Sequence, residues 1–250
     1  MDRTKDGQPL KDDLSNYDAN KYEKPSVSVD ICICTILMRE DGSFYDDEKS
    51  IQVLLIKRKN PPFRDHFALP GGFVEIPKKE TLEETAHREL LEETHLKDIY
   101  IEQLKTYGDP DRDPRTRVIT AAYFALVPWQ NFLKTEIRAG DDAKEAQWFN
   151  LRYPPEDLAF DHAKILKDLM TRLEGKISYT PIAFNFLPRH FTWNQLQTVY
   201  EIILGRKLVT SNFRRKIRSM YDLQELKLVQ KSSSGRPAKL MKFVHEKKIL

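Results

Sequence analysis

The chain has 250 residues, 40% hydrophobic and 32% charged, with a formal net charge of +3, the composition of a globular protein that can bury one large core or a medium and a small one. No apolar run reaches the ~18 residues of a membrane span, and the polar stretch 1–26 lacks the apolar segment of an export signal, so a cytoplasmic location with no membrane partner is expected. Two cysteines, Cys32 and Cys34, do not make a disulfide framework, which fits a reducing compartment.

In chain order, residues 1–26 are expected to form a loose polar arm. A strand is predicted over 27–37, a polar turn around Asp41 and Gly42, and a second strand over 51–57 that Asn60, Pro61 and Pro62 stop. Cys32 and Cys34 share one strand face and read as two small buried apolar residues, since no further Cys or His pair completes a zinc site. Residues 67–74 form a short strand and a glycine turn. A helix follows over 81–94, capped by Thr81 with Glu84 completing a capping box. Strands are predicted over 100–107 and 117–127, separated by the charged, proline-rich loop 108–115. A short strand over 146–150 and a helix over 159–173 complete an α/β sandwich with a helix on each side of the sheet.

The composition changes near 175–179. Residues 181–250 carry 14 Lys+Arg against 4 Asp+Glu, a net +10, whereas residues 1–180 carry 27 against 34, a net −7. So large a shift predicts two units, the second with a polyanionic partner. Three units are expected: an arm over 1–26, a sandwich over 27–177 and a basic domain over 178–250. In the last, Thr192 caps an amphipathic helix ending at Gly205. Ser211 is expected to cap a second helix over 212–223. Strands over 226–230 and 238–244 would form a hairpin.

Two groups of residues carry chemistry. Glu89, Glu92 and Glu93 are spaced to share one helix face, where they form either a solvated acidic surface or a set of oxygen ligands for a hard divalent ion. Arg88 precedes Glu92 by one turn and can orient it, and Gly71-Gly72 lets the backbone approach a ligand closely. Arg112 and Arg115 either contact phosphates or pair with Asp109, Asp111 or Asp113. His162 is assigned no chemistry, and Trp129, Trp148 and Trp193 read as core. In the second group, Arg214, Arg215, Lys216 and Arg218 line the second helix of a helix-turn-helix, the element that enters a major groove. Ser234 and Arg236 sit at the hairpin tip, where a wing touches phosphates or the minor groove.

Gly71-Gly72-Phe73-Val74-Glu75, Glu80 and Arg88-Glu89-Leu90-Leu91-Glu92-Glu93 together resemble the Nudix box. The resemblance implies an α/β/α sandwich that hydrolyses nucleoside diphosphate derivatives, with Glu89, Glu92 and Glu93 holding Mg (or Mn) if the site is active, and with Arg88, Glu92 and Glu93 catalytic. Two departures from the family pattern stand out: the Phe73–Lys79 loop is two residues longer, and His95 stands where the family has a glycine. Both are expected to disturb the glutamates, and catalysis is sensitive to ~1 Å of misplacement.

Phe184 to Thr192, Asn212 to Lys216 and Gly235 to Ala238, with Gly108-Asp109-Pro110, Gly140-Asp141-Asp142-Ala143 and Phe160-Asp161-His162-Ala163, resemble Nudix-related transcriptional regulators of the NrtR type. That resemblance implies a C-terminal winged helix-turn-helix domain and a dimeric bacterial repressor. Its partners would be a double-stranded DNA operator and, as effector at Gly71, Gly72, Arg112 and Arg115, ADP-ribose or a related nucleotide. The implied targets are genes of NAD-related or sugar metabolism. The alternative is an ADP-ribose pyrophosphatase, or a protein that does both.

Overall fold

The structure is a computed structural model that describes residues 17–18, 20–39, 43–44, 49–132, 143–230 and 237–246. Of the expected arm, residues 1–16 and 19 lie outside them, as does the hairpin tip with Ser234 and Arg236, and the arm's last residue, Ser26, already belongs to a strand. Strand β1 (Ser26–Ile36) is the centre of a sheet ordered β3-β2-β1-β6-β5. Its neighbours are β2 (Ile51–Arg58), antiparallel, and β6 (Val118–Leu126), parallel. Strand β3 (Phe67–Ala68) and β7 (Ala143–Asn150) pair with β2, β4 (Gly71–Phe73) pairs with β1, and β5 (Tyr100–Tyr107) pairs with β6.

Alternation along β1 decides which helix covers which face. Val29, Ile31 and Ile33 point to α1 (Leu82–Thr94), packing with Ala86 and Leu90. Cys32 and Cys34 point the other way, into a core with Ile165, Leu166 and Leu169 of α2 (His162–Lys176). Both cysteines are fully buried, as expected of small apolar residues. Helix α1 starts with the predicted capping box, Thr81 accepting from Glu84 N–H and Glu84 accepting from Thr81 N–H. Helix α2 starts later than predicted. Phe160 takes a left-handed φ of 55°, and the side chain of Asp161, the N-cap, bonds to Arg112 instead of capping the helix.

The C-terminal part begins with a 3-10 turn (Ile182–Phe186), followed by α3 (Trp193–Leu204), α4 (Thr210–Met220) and the hairpin β8 (Tyr221–Gln230) and β9 (Ala238–Glu246). Thr192 caps α3 with Gln195 in a capping box, and Gly205 ends it at φ 65°. Ser211 does not cap α4: the helix begins two residues earlier, at Thr210, with Val209 at the N-cap and no side-chain cap. Its end is also earlier than predicted, because Tyr221 turns extended to join the hairpin. Phe184 stacks on Phe243 at 4.4 Å and meets Tyr221 edge-on, which fixes the hairpin to the 3-10 turn. Phe213 and Ile217 of α4 are buried against Tyr200 and its neighbours. Among the described residues no helix is long and apolar enough to cross a membrane.

Candidate functional site

The glycine turn builds the first wall. In the β4–β1 pair, Gly71 faces Asp30 and Gly72 faces Val29. A Cβ on Gly71 would strike the Val29 carbonyl oxygen, and one on Gly72 would strike the Glu89 carboxylate. The Val29 backbone therefore demands glycine at 71, whereas a side chain at 72 would displace the Glu89 carboxylate.

Arg88 gathers the acidic residues. Its Nε donates to Glu80 Oε1 at 3.0 Å, Nη1 to Glu89 Oε1 at 2.6 Å and Nη2 to the Phe73 carbonyl at 3.2 Å, while Glu92 lies at 3.5 Å. Arg88 thus engages Glu80 and Glu89 more closely than Glu92, the partner that helix spacing suggested. The hydrogen bond from Arg88 holds the Glu80 carboxyl below its ordinary pKa. Burial pushes Glu89 above its own, against the pull of Arg88. Glu93 is buried, and the Glu92 side chain is 54% exposed.

The longer loop does not carry Glu80 away. Residues Ile76–Lys78 coil into a 3-10 turn, and Lys79 takes φ 57°. That turn absorbs the added length and returns Glu80 to Arg88, with Glu75 N–H donating to Glu80 at 3.3 Å. His95 adopts the left-handed cap that the family's glycine would, at φ 56°, ψ 17°, and its N–H reaches Leu91 O at 2.8 Å. Both departures are thus accommodated in the backbone. Even so, among the described residues no three acid, His or Cys side chains converge to hold a metal ion. In this arrangement the Arg88 guanidinium is the cation that bridges the Glu80 and Glu89 carboxylates.

Beside the turn opens a cavity of about 390 Å³ between β1, β4, the 108–117 loop and the start of α2, a size suited to a small ligand. At its back Arg112 is only 8% exposed. It pairs with Asp161 at 2.7 Å and Asp30 at 3.2 Å, and not with the nearby loop aspartates that were one of its two alternatives. Burial alone would lower the Arg112 pKa, but Asp161 and Asp30 outweigh it and the net shift is upward. Arg115 is held by Asp113 at 2.7 Å, the pairing foreseen as one alternative. His162 is buried, and its Nδ1 accepts from Leu69 N–H at 2.9 Å. That bond fixes a tautomer with the proton on Nε2, which lies 3.7 Å from Asp30. Burial pushes the His162 pKa down.

The mouth of the cavity is aromatic and cationic. Arg58 lies over Phe160 at 4.9 Å, and Arg115 lies 5.8 Å from the Phe73 ring and 6.0 Å from Phe160. Gly71, Gly72, Arg112 and Arg115 all line this cavity. Sequence reasoning missed Asp30, Arg58, Phe160 and His162. One signal was readable: Asp30 is the single charged residue inside the apolar strand 27–37, and a charge there needs a buried partner.

The second candidate face is α4. At 100° per residue, Phe213 and Ile217 face the core, which turns Arg215 almost directly outward. Arg214 and Arg218 fall on one flank and Lys216 on the other, so the four basic residues spread wider than a single face. Arg215 reaches back to Asn212 Oδ1 at 3.3 Å. Arg214 and Arg218 lie over the half-buried Trp193 ring, 5.5 and 5.3 Å from its centroid.

The two candidate faces are joined physically. Arg152, just past β7, donates to Ile203 O in the last turn of α3 at 2.7 Å and pairs with Glu174 of α2 at 2.9 Å. Its guanidinium lies over Gly205, where a Cβ would stand 3.3 Å from it.

Comparison with known proteins agrees with this two-part layout. Residues 36–169 match the model of the NUDIX domain, and residues 183–243 match that of the NrtR DNA-binding winged helix domain. The chain is 35% identical to the ADPR responsive transcriptional repressor NtrR of Acinetobacter baylyi, across 92% of this chain and 86% of the relative. It is 46% identical to the ADP-ribose pyrophosphatase of Methanocaldococcus jannaschii, across 66% of this chain and 83% of the relative. The crystal structure of Shewanella oneidensis NrtR complexed with a 27mer DNA superposes with a TM-score of 0.72 at 32% identity, covering 87% of this chain and 93% of that one. A NUDIX domain and an NrtR-type winged helix matched in one chain, and a repressor relative matched over most of its length, show that the chain belongs to the NrtR family of NUDIX proteins with a DNA-binding winged helix.

Proposed function

We propose that this protein is a cytoplasmic transcriptional repressor that binds double-stranded DNA through α4 and the β8–β9 wing and releases it when ADP-ribose or a related nucleotide enters the cavity beside Gly71 and Gly72. Its relatives support the effector and the DNA partner. In this reading residues 27–177 sense and residues 178–250 bind DNA, and a homodimer reads a two-fold operator. Genes of NAD-related or sugar metabolism are the proposed targets.

One observation carries the regulatory part. Helix α2 has the pocket residue His162 at its start, with Asp161 as its N-cap, and Glu174 near its end, where Glu174 and the last turn of α3 share Arg152. A nucleotide that competes for Arg112 or Asp161 would bias the seating of α2, and α2 and Arg152 together bear on the helix-turn-helix. The effector works by preferring one of two arrangements.

The test is an anisotropy titration of the full chain against promoter fragments, at fixed salt, with and without ADP-ribose. The salt must be stated because phosphate contacts make affinity steeply salt-dependent. Tight fragment-specific binding weakened by ADP-ribose is expected. Arg152→Ala should leave both ligands bound and reduce the effect of one on the other. Sequence-blind binding unaffected by the nucleotide would remove the repressor reading.

The identity to a pyrophosphatase and the retained Arg88, Glu89, Glu92 and Glu93 favour a second reading, ADP-ribose hydrolysis with Mg or Mn. It would require Arg88 to release Glu89 so that Glu89, Glu92 and Glu93 could converge. Glu93→Gln should then abolish Mg²⁺-dependent release of AMP. Absence of turnover in the parent protein would eliminate this reading.

A further inference from the structure

We infer that Trp193 is a positioning residue for DNA binding: its ring holds Arg214 and Arg218 side by side and aims them at the sugar-phosphate backbone. The inference rests on the DNA-binding reading of α4. Trp193 opens α3, while the two arginines stand one turn apart on α4, on the flank nearest the ring. Both guanidinium carbons lie within the ~6 Å at which a cation is drawn to an aromatic face. Trp193 is itself fixed, packing on the core beside Phe213 at 6.3 Å. Two long, rotamer-rich side chains are thus tied to one rigid surface.

An arginine drawn to an aromatic face is held in place while its guanidinium can still address a phosphate in a bidentate way. Ordering the side chains before binding also removes part of the entropy loss on association. The direction follows from the wheel of α4. Arg215 points straight out from the buried Phe213 and Ile217, the orientation of a side chain that enters a groove. Arg214 and Arg218 sit to one side of it, where the groove wall and its phosphates lie. Trp193, at a position that looks like ordinary core in the sequence, would therefore divide the basic helix into a base-facing residue and a phosphate-facing pair.

The experiment measures DNA affinity of the full-length protein across a salt series, on an operator fragment and on a scrambled fragment. Trp193→Leu keeps apolar packing and removes the ring. About a tenfold loss on both fragments is expected, with the slope of log affinity against log salt smaller by about one to two, as for one or two lost phosphate contacts. Trp193→Phe should restore most of both. In an Arg214→Ala/Arg218→Ala background, Trp193→Leu should have no further effect. Wild-type affinity and slope in Trp193→Leu would overturn the inference. So would an equal loss in the arginine-free background, or a loss that Trp193→Phe does not repair, since either would mean that the ring merely supports the fold. If the parent protein itself shows no fragment-specific binding, it is the repressor reading that fails.

Discussion

The cavity and α4 handle charge in opposite ways. In and beside the cavity the cations face carboxylates: Arg112 meets Asp30 and Asp161, Arg115 meets Asp113, and behind the glycine turn Arg88 meets Glu80 and Glu89. On α4 the arginines are arranged around an aromatic ring and an asparagine. Charges closed in ion pairs shape a small selective pocket and can exchange partners when an anionic ligand arrives. A basic helix face suits a long polyanion whose own counterions are released on binding.

Substitutions should therefore separate stability from binding. The largest effect is expected for Arg112→Ala, which leaves Asp30 and Asp161 facing each other without their shared cation. Breaking such a buried arrangement costs about 3–5 kcal/mol, read as a lower urea midpoint, with loss of nucleotide binding. Arg215→Ala should do the reverse. Unfolding should change by less than ~0.5 kcal/mol, while DNA affinity falls by about 1–3 kcal/mol. A large stability loss in Arg215→Ala, or none in Arg112→Ala, would break the contrast.

The two regions also differed in how much the sequence revealed. Helices and strands were legible because their periodicity and caps are local: the Thr81–Glu84 and Thr192–Gln195 boxes stand where the residue pattern puts them. On α4 the sequence grouped Arg214, Arg215, Lys216 and Arg218 on one helix, and the buried Phe213 and Ile217 show Arg215 to be the outward one. In the cavity the decisive partners come from distant segments, Arg112 from a loop, Asp30 from β1 and Asp161 from the edge of α2. Local reading offered Arg112 either phosphate or its neighbours Asp109, Asp111 and Asp113, and no periodicity could pair it with residues 82 and 49 positions away. Trp193 packs on the core as read from the sequence, but its contact with two arginines was hidden for a related reason. A tryptophan at an apolar helix position looks like core until the neighbouring helix brings two arginines over its exposed face.

A pH titration sharpens the comparison further. His162 is buried among Asp30, Asp161, Arg112 and Arg58, and burial lowers its pKa below the ordinary 6.5. The unfolded chain then binds a proton before the folded one does. This contribution to stability is complete above about pH 6.5 and is lost as pH falls from there through the folded-state value. Thermal melts should show the wild type losing stability below that pH faster than His162→Gln. Equal slopes would mean that the imidazole titrates as freely in the fold as outside it.

The smallest effect concerns His95, and it tests whether the sensor's glutamates are displaced at all. An L-residue in the left-handed region carries roughly 1–2 kcal/mol of strain. Glycine would relieve it but loses about 0.4–1 kcal/mol through its freer unfolded chain. His95→Gly should therefore stabilise the protein by up to ~1 kcal/mol, seen as a small rise in melting temperature. Because His95 already adopts the capping geometry, with its N–H on Leu91 O, the substitution should not move α1 or its carboxylates. Nucleotide affinity and any AMP release should then stay as they are. A tenfold rise in turnover would instead show that the histidine holds Glu92 and Glu93 out of register, and the obstacle to metal binding would lie in the helix cap and not in the closed pairing of Arg88 with Glu89.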